Sequence, residues 1–113
     1  MYSDGWIADS ARVTLHNWDR RATLKIRGGC PAGILARIRR CEVRANGALL
    51  AEDLHPDTAA GTFRVSLPLS PEVAAAPTLV VSLKPEGTWV PAERGINADT
   101  RRVSYRLEFI GLR

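Results

Sequence analysis

The sequence predicts an all-β protein folded as an antiparallel β-sandwich, and three observations support this. Apolar and polar residues alternate with a period of two over several short runs, as they do in half-buried strands. Turn-forming Gly, Pro and Asn residues separate these runs, which predicts seven or eight strands, and helical periodicity is weak. The 113 residues are enough for one core, so we expect a single domain over 1–113.

The first two strands are predicted at residues 12–16 and 21–27. In the second, Leu24 and Ile26 share one face, because side chains two positions apart on a strand point the same way. The Gly-Gly-Cys-Pro sequence at 28–31 follows at once, and we expect it to end this strand.

Asn46-Gly47 is the strongest turn signal in the chain. Both residue types tolerate positive φ, so this pair predicts a two-residue hairpin. The hairpin joins an extended stretch at 34–45 to a return strand at 48–53. Cys41 occupies an apolar position of the first stretch, where we expect it to be a small buried hydrophobe.

Three more strands are predicted at 61–69, at 78–84 and in the last run of the chain. Residues 78–84 are apolar enough for an interior strand, and one helical turn is expected at 71–76. In the last run, the residues expected to face the core are Val103, Tyr105, Leu107 and Phe109. Ile110 then slips out of phase, which predicts a β-bulge near Phe109.

Charge and targeting signals narrow the class of protein. The net charge is +4, but the 14 Arg and 2 Lys form no single long run, so we expect no nucleic-acid partner. No apolar run is long enough to span a membrane. The first residues do not read as a signal peptide, which predicts a cytoplasmic location and reduced cysteines.

Catalytic motifs give little support for an enzyme. We find no G-x-S-x-G, no H-E-x-x-H and no P-loop in the sequence, so we expect a non-catalytic protein. Glu52, Asp53 and Asp57 could together form a calcium loop, but a solvated turn is the favoured interpretation. We therefore expect no cofactor, with calcium as the alternative.

The three tryptophans, Trp6, Trp18 and Trp89, all lie near predicted turns or strand ends. An indole beside a loop can stack on the C–H face of a sugar ring, while nearby Arg and Asn side chains bond its hydroxyls. For Trp6 we favour packing against the core, because Ile7 follows it. For Trp18 and Trp89 both interpretations stay open.

Polar side chains suited to such contacts follow Trp89. The segment 86–104 is an irregular loop leading into the last strand, and it brings polar groups to one rim of the predicted fold. The residues expected to face a ligand are Trp89, Trp18, Arg94, Asn97 and Arg101.

The closing sequence TWVPAERGINADTRRVSYRLEFIGL resembles that of small β-sandwich domains appended to bacterial glycosyltransferases and related polysaccharide-biosynthesis proteins. Asp4-Gly5-Trp6 resembles the opening motif of the same domains. Val103-Ser104 stands where those domains more often have Leu-Gly. The resemblance implies a jelly-roll, galactose-binding-like architecture and a carbohydrate-binding module. The motif residues that carry over are Asp4, Gly5, Trp6, Pro91, Gly95, Asp99 and Arg101.

Together these observations predict a non-catalytic carbohydrate-binding module whose partner is an oligo- or polysaccharide. The net positive charge of the chain favours acidic glycans over neutral ones as the ligand. A fused or associated catalytic domain is expected from the resemblance. The alternative is a protein-interaction or assembly module, an accessory domain of a glycosyltransferase that does not bind sugar.

Overall fold

The computed structural model describes residues 5–8, 10–29, 40–54, 61–87 and 104–113. Within them the chain is mainly β, with seven strands and one short helix. The strands form two antiparallel sheets. The elements in chain order are β1 (Ala11–His16), β2 (Thr23–Gly29), β3 (Cys41–Ala45), β4 (Ala48–Ala51), β5 (Thr62–Pro68), α1 (Pro71–Ala75), β6 (Thr78–Pro85) and β7 (Arg106–Leu112).

The larger sheet has four strands in the order β1-β6-β3-β4. The interior position predicted for residues 78–84 is confirmed, because β6 pairs with β1 on one side and β3 on the other. The predicted hairpin is also confirmed: Asn46 and Gly47 have φ of 49° and 84° and join β3 to β4. The Asn46 side chain accepts from the Val80 N–H at 2.8 Å, which ties this turn to β6.

The smaller sheet has three strands in the order β5-β2-β7. The prediction that the glycines end β2 is wrong, since the strand continues through Gly28 and Gly29. Gly28 pairs with Phe63 on one side and Leu107 on the other. A Cβ at Gly28 would collide with the carbonyl oxygen of Arg106, so the missing side chain is what lets the neighbouring backbone come this close.

Buried residues from both sheets form one hydrophobic cluster. Leu24 and Ile26 of β2 and Leu79, Val81 and Leu83 of β6 are completely buried. The Phe63 and Tyr105 rings meet edge to face, with centroids 5.1 Å apart.

In the described part of the chain, no helix is long and apolar enough to cross a membrane.

The bulge predicted near Phe109 is confirmed, but the direction predicted for its side chain is wrong. Arg27 pairs with Phe109, whereas the next residue, Gly28, pairs with Leu107, so β7 carries one extra residue at this point. The extra residue turns Phe109 to the outer face of the sheet, where its ring lies beside Lys25 and Arg27. Tyr105 and Leu107 face the core as expected.

The N-terminal segment is joined to the residues just before β7 through Ser104. The buried Ser104 hydroxyl lies 3.0 Å from the Ile7 carbonyl and 2.8 Å from the Ala8 carbonyl, and it can donate its one proton to either of them. Trp6 forms a bridge with Arg106 and packs against the core, in agreement with the favoured interpretation of this indole.

Cys41 is a free, buried cysteine on β3, in agreement with the expectation of a small buried hydrophobe. Burial raises the pKa of its thiol from 9.0 to about 12, and the carboxylates of Asp53 and Glu42 act in the same direction.

We expect Gly28→Ala to lower the free energy of unfolding by about 3 kcal/mol, because the methyl group must displace the Arg106 carbonyl or the Phe63 ring. Gly47→Ala is the control. It has no neighbour within 4 Å of its would-be Cβ, so it carries only the strain of positive φ, about 1 kcal/mol. Urea denaturation of both variants measures the difference, and equal losses would contradict the close packing at Gly28.

We expect alkaline pH to destabilise the wild type more than Cys41→Ala. Between pH 9.0 and about 12 the unfolded chain ionises this thiol and the folded chain does not, so the stability present below pH 9.0 is lost as the pH rises. The loss reaches about 1.4 kcal/mol per pH unit. Urea denaturation of both proteins at several pH values measures it, and parallel curves would refute the buried, neutral thiol.

Candidate functional site

Trp18 lies in the loop that connects β1 to β2, and it is the most exposed large hydrophobic residue in the described part of the chain. Its relative exposure is 72%. An indole that stays this exposed adds little to the core, and its apolar ring is available to a ligand. That Trp18 contacts a ligand stays a prediction, and the indole has the exposure that such a contact requires.

The buried side chain of Asn17 holds the β1–β2 loop in place. Its relative exposure is 2%, and its carboxamide is hydrogen-bonded at both ends. The Nδ2 group donates to the carbonyls of Arg21 and Ala74, at 3.0 and 3.1 Å. The Oδ1 atom accepts from the Arg21 N–H at 2.8 Å. Because Ala74 belongs to α1, this one side chain ties the β1–β2 loop to the helix.

A tight turn then presents Trp18 and Asp19 to solvent. The Arg20 N–H donates to the Asn17 carbonyl at 3.2 Å, which closes a four-residue turn with Trp18 and Asp19 at its centre. Arg20 itself has a φ of 51°. The Asn17 N–H donates to the Pro77 carbonyl at 2.8 Å, so the first residue of the turn is held through its backbone as well.

The groups around the indole have complementary chemistry. The His16 ring lies parallel to it, with centroids 6.0 Å apart and 10° between the planes. Arg21 and Asp19 form an exposed ion pair at 3.6 Å. These residues border a surface cleft of about 200 Å³, with Leu15 and Leu112 completing its wall. The cleft combines aromatic faces with one carboxylate acceptor and one guanidinium donor.

Such a set of groups can recognise a sugar ring. The aromatic faces suit the C–H side of a pyranose, and Asp19 and Arg21 can exchange hydrogen bonds with its hydroxyls. A cleft of this volume is smaller than pockets that enclose a ligand, so it would contact one face of a sugar only. Sequence reasoning missed His16 and Arg21 as parts of this site. The His16 and Trp18 rings come together because β1 ends at His16 and the chain turns sharply directly after it.

The other residues predicted to contact a ligand, Trp89, Arg94, Asn97 and Arg101, lie outside the described residues. So do the motif residues Asp4, Pro91, Gly95 and Asp99, and Asp57 of the calcium alternative. In the described ranges, no group of three His, Cys, Asp or Glu side chains could hold a metal ion. Gly5 of the opening motif has a φ of 91°, and its carbonyl accepts from the Leu107 N–H at 2.8 Å, so this residue serves the fold.

In comparisons with known proteins, no family model, no curated protein and no solved structure matches the chain. The resemblance to domains appended to glycosyltransferases stays a prediction. The geometry of the Trp18 loop is therefore the basis for a functional proposal.

We expect Asn17→Ala to lower the free energy of unfolding by about 2–4 kcal/mol, because it removes three side-chain hydrogen bonds, one of them to the distant Ala74 carbonyl. Asn46→Ala is the control: its two bonds, to Thr78 and Val80, are exposed, and about 1 kcal/mol is expected.

Urea denaturation gives the two stabilities, and hydrogen exchange at the Arg21 N–H reports on the loop. That amide should exchange faster in Asn17→Ala, since it loses its acceptor. A smaller loss of stability in Asn17→Ala than in Asn46→Ala would contradict the anchoring role.

Proposed function

We propose that this chain is a non-catalytic carbohydrate-binding domain in which Trp18 stacks on a sugar ring. The observation that carries the proposal is an indole with 72% exposure on a loop held by a buried side chain. Asp19 and Arg21 would bond the hydroxyls of the same sugar. In this proposal the cleft recognises a ligand and does not transform it, since its groups are stacking rings and hydrogen-bonding partners.

The proposal includes the finer architecture, a β-sandwich of jelly-roll type. Two features support it. Buried residues of both sheets belong to one cluster, as they do when two sheets pack face to face. Five of the six connections between consecutive described strands pass from one sheet to the other. In such a fold the β1–β2 loop lies at one end of the two layers, which is where sandwich domains commonly carry binding loops.

Pre-organisation supports a binding role for this loop. Ordering a flexible loop on binding would subtract from the affinity. Here the Asn17 carboxamide and the closed turn already hold the backbone on both sides of Trp18. A sugar would therefore meet an indole carried on a backbone that is ordered before binding, which lowers the entropic cost of binding at a shallow cleft.

The wider proposal keeps the partners that the sequence suggests. Trp89, Arg94, Asn97 and Arg101 are proposed as further ligand contacts. An associated catalytic domain of polysaccharide biosynthesis would gain a means of holding its polymer.

A protein-docking role has less support from the larger sheet. The other exposed large hydrophobic residues in the described ranges are Leu49 and Val80. The register places Arg44 between Leu49 on β4 and Ser82 on β6, so a charged side chain interrupts the surface. Apolar residues that stand singly are ordinary on a protein surface and do not mark a docking patch.

We expect Trp18→Ala to weaken glycan binding by about fivefold or more, because stacking on an aromatic ring contributes on the order of 1 kcal/mol and the cleft has few other apolar contacts. Its stability should change by less than about 0.5 kcal/mol, since the side chain is exposed. Leu49→Ala, which removes an exposed apolar side chain from β4, at the opposite edge of the four-stranded sheet from β1, is the control and should bind as the wild type does.

The measurement is a screen of neutral and anionic glycans followed by titration calorimetry on each that binds. If no glycan in the screen binds the wild type, the proposed function is refuted. If a glycan binds and Trp18→Ala binds it equally well, the role given to Trp18 is refuted.

A further inference from the structure

The outer face of the three-stranded sheet carries a group of exposed cations, which we call the basic face: Lys25, Arg27, Arg64 and Arg113. Arg27 on β2 is paired in register with Arg64 on β5. Lys25 lies two residues before Arg27 on the same side of the strand. Together with Phe109 these residues border a cleft of about 240 Å³.

Phe109 borders the basic face from β7, an edge strand of the smaller sheet. The tip of its ring lies against Gly111, where the Phe109 Cζ atom is 2.7 Å from the place that a Cβ would take. The guanidinium carbons of Arg27 and Arg113 are 5.9 and 5.6 Å from the ring centroid. At these distances the ring attracts both cations and restrains two long side chains that would otherwise be free to move.

The positive charge of this face is only partly neutralised. Glu108 pairs with Arg27 at 3.5 Å, so one carboxylate lies beside the four cations of this face. On the four-stranded sheet the signs are mixed: Arg44 pairs with Glu42 at 2.6 Å, and Lys84 lies near Glu52 and Glu86. The charge complementary to an anionic ligand is therefore concentrated on the smaller sheet.

The basic face and the Trp18 cleft are neighbours along the backbone. Leu112 borders that cleft, and Arg113, the next residue, borders the basic face. The Arg113 backbone pairs with Thr23 in both directions, at 2.8 and 3.2 Å, so residues of both surfaces lie near the start of β2. Arg21 of the Trp18 cleft stands two residues before Thr23.

We infer that the Trp18 cleft and the basic face together form one track for an acidic polysaccharide, a polymer of uronic acid. This inference rests on the proposed function. One sugar stacks on Trp18, and the carboxylates of following sugars meet Arg113, Lys25, Arg27 and Arg64 in turn. The cations are spread over neighbouring strands about 5 Å apart, which suits a ligand with repeated charges more than one with a single charge.

Acidic groups along the track favour a glycan over a nucleic acid. Asp19 is exposed beside Trp18, and Glu108 is half-exposed on the basic face. Both carboxylates can accept hydrogen bonds from sugar hydroxyls, which a uronic polymer presents between its charges. A DNA backbone also carries repeated negative charge, but it has no free hydroxyl between its phosphates to donate to these carboxylates.

The experiment compares a hexamer of galacturonic acid with the same hexamer fully methyl-esterified, by titration calorimetry at low salt and at roughly 200 mM salt. We expect the acid to bind about tenfold more tightly than the ester at low salt, and the difference to shrink at high salt. The double variant Lys25→Gln, Arg64→Gln should lose about tenfold in affinity for the acid and little for the ester.

The control removes the same charge from the other sheet, with Arg12→Gln and Lys84→Gln, and should bind both hexamers as the wild type does. Equal binding of acid and ester, with Trp18→Ala weakening both, would overturn the acidic track and leave the proposed function intact. Binding of neither hexamer, nor of any glycan in the screen, would refute both. If a twelve-nucleotide oligo-dT binds more tightly than the acid at the same salt, the track serves nucleic acid and the inference is wrong.

Discussion

Strand β2 depends on one constraint, that successive side chains point to opposite faces. Leu24 and Ile26 face inward and are completely buried, whereas Lys25 and Arg27, which alternate with them, are exposed. A slip of one residue in register would place two cations in the core and two large aliphatic side chains in water. Because β2 is the central strand of its sheet, the same register aligns β5 and β7 on either side. The core and the basic face are thus set by one alignment.

A second constraint acts where β2 begins. Burying a carboxamide is unfavourable unless its donors and acceptor are all bonded. Asn17 meets that requirement only when the loop backbone at Arg21 and the helix backbone at Ala74 are both in place. The loop and the helix are therefore ordered together, and Trp18 can stand in solvent without the loop around it being loose. A stacking site gains from an exposed aromatic residue on an ordered backbone, because less of the loop has to be ordered on binding.

Sequence reasoning succeeded where the determining interactions are local. Asn46-Gly47 predicted its hairpin because positive φ is a property of those two residues. It failed at Gly28-Gly29, which the sequence presents as a break, because the reasons for these glycines are carbonyls distant in the chain, that of Arg106 for Gly28 and that of Gly61 for Gly29. The exposure of Trp18 was an open question for a related reason: the buried partner of its neighbour Asn17 is on α1. The meeting of Leu112, Arg113 and Arg21 at one end of the smaller sheet likewise depends on the pairing of β2 with β7.

Phe109 shows how one irregularity links these features. Regular alternation would bury its ring with Tyr105 and Leu107, and such burial would contribute more to stability than an exposed position does. The bulge opposite Arg27 and Gly28 moves the ring to the outer face, where part of the lost stabilisation is offset by packing on Gly111 and by two guanidinium groups. Positions that break the alternation of buried and exposed side chains and lose buried area are commonly functional or strained sites. The departure at Phe109 occurs on the basic face, and the ring attracts two of the four cations there. That coincidence is the physical reason to treat this face as a binding surface and not as an accidental excess of arginine.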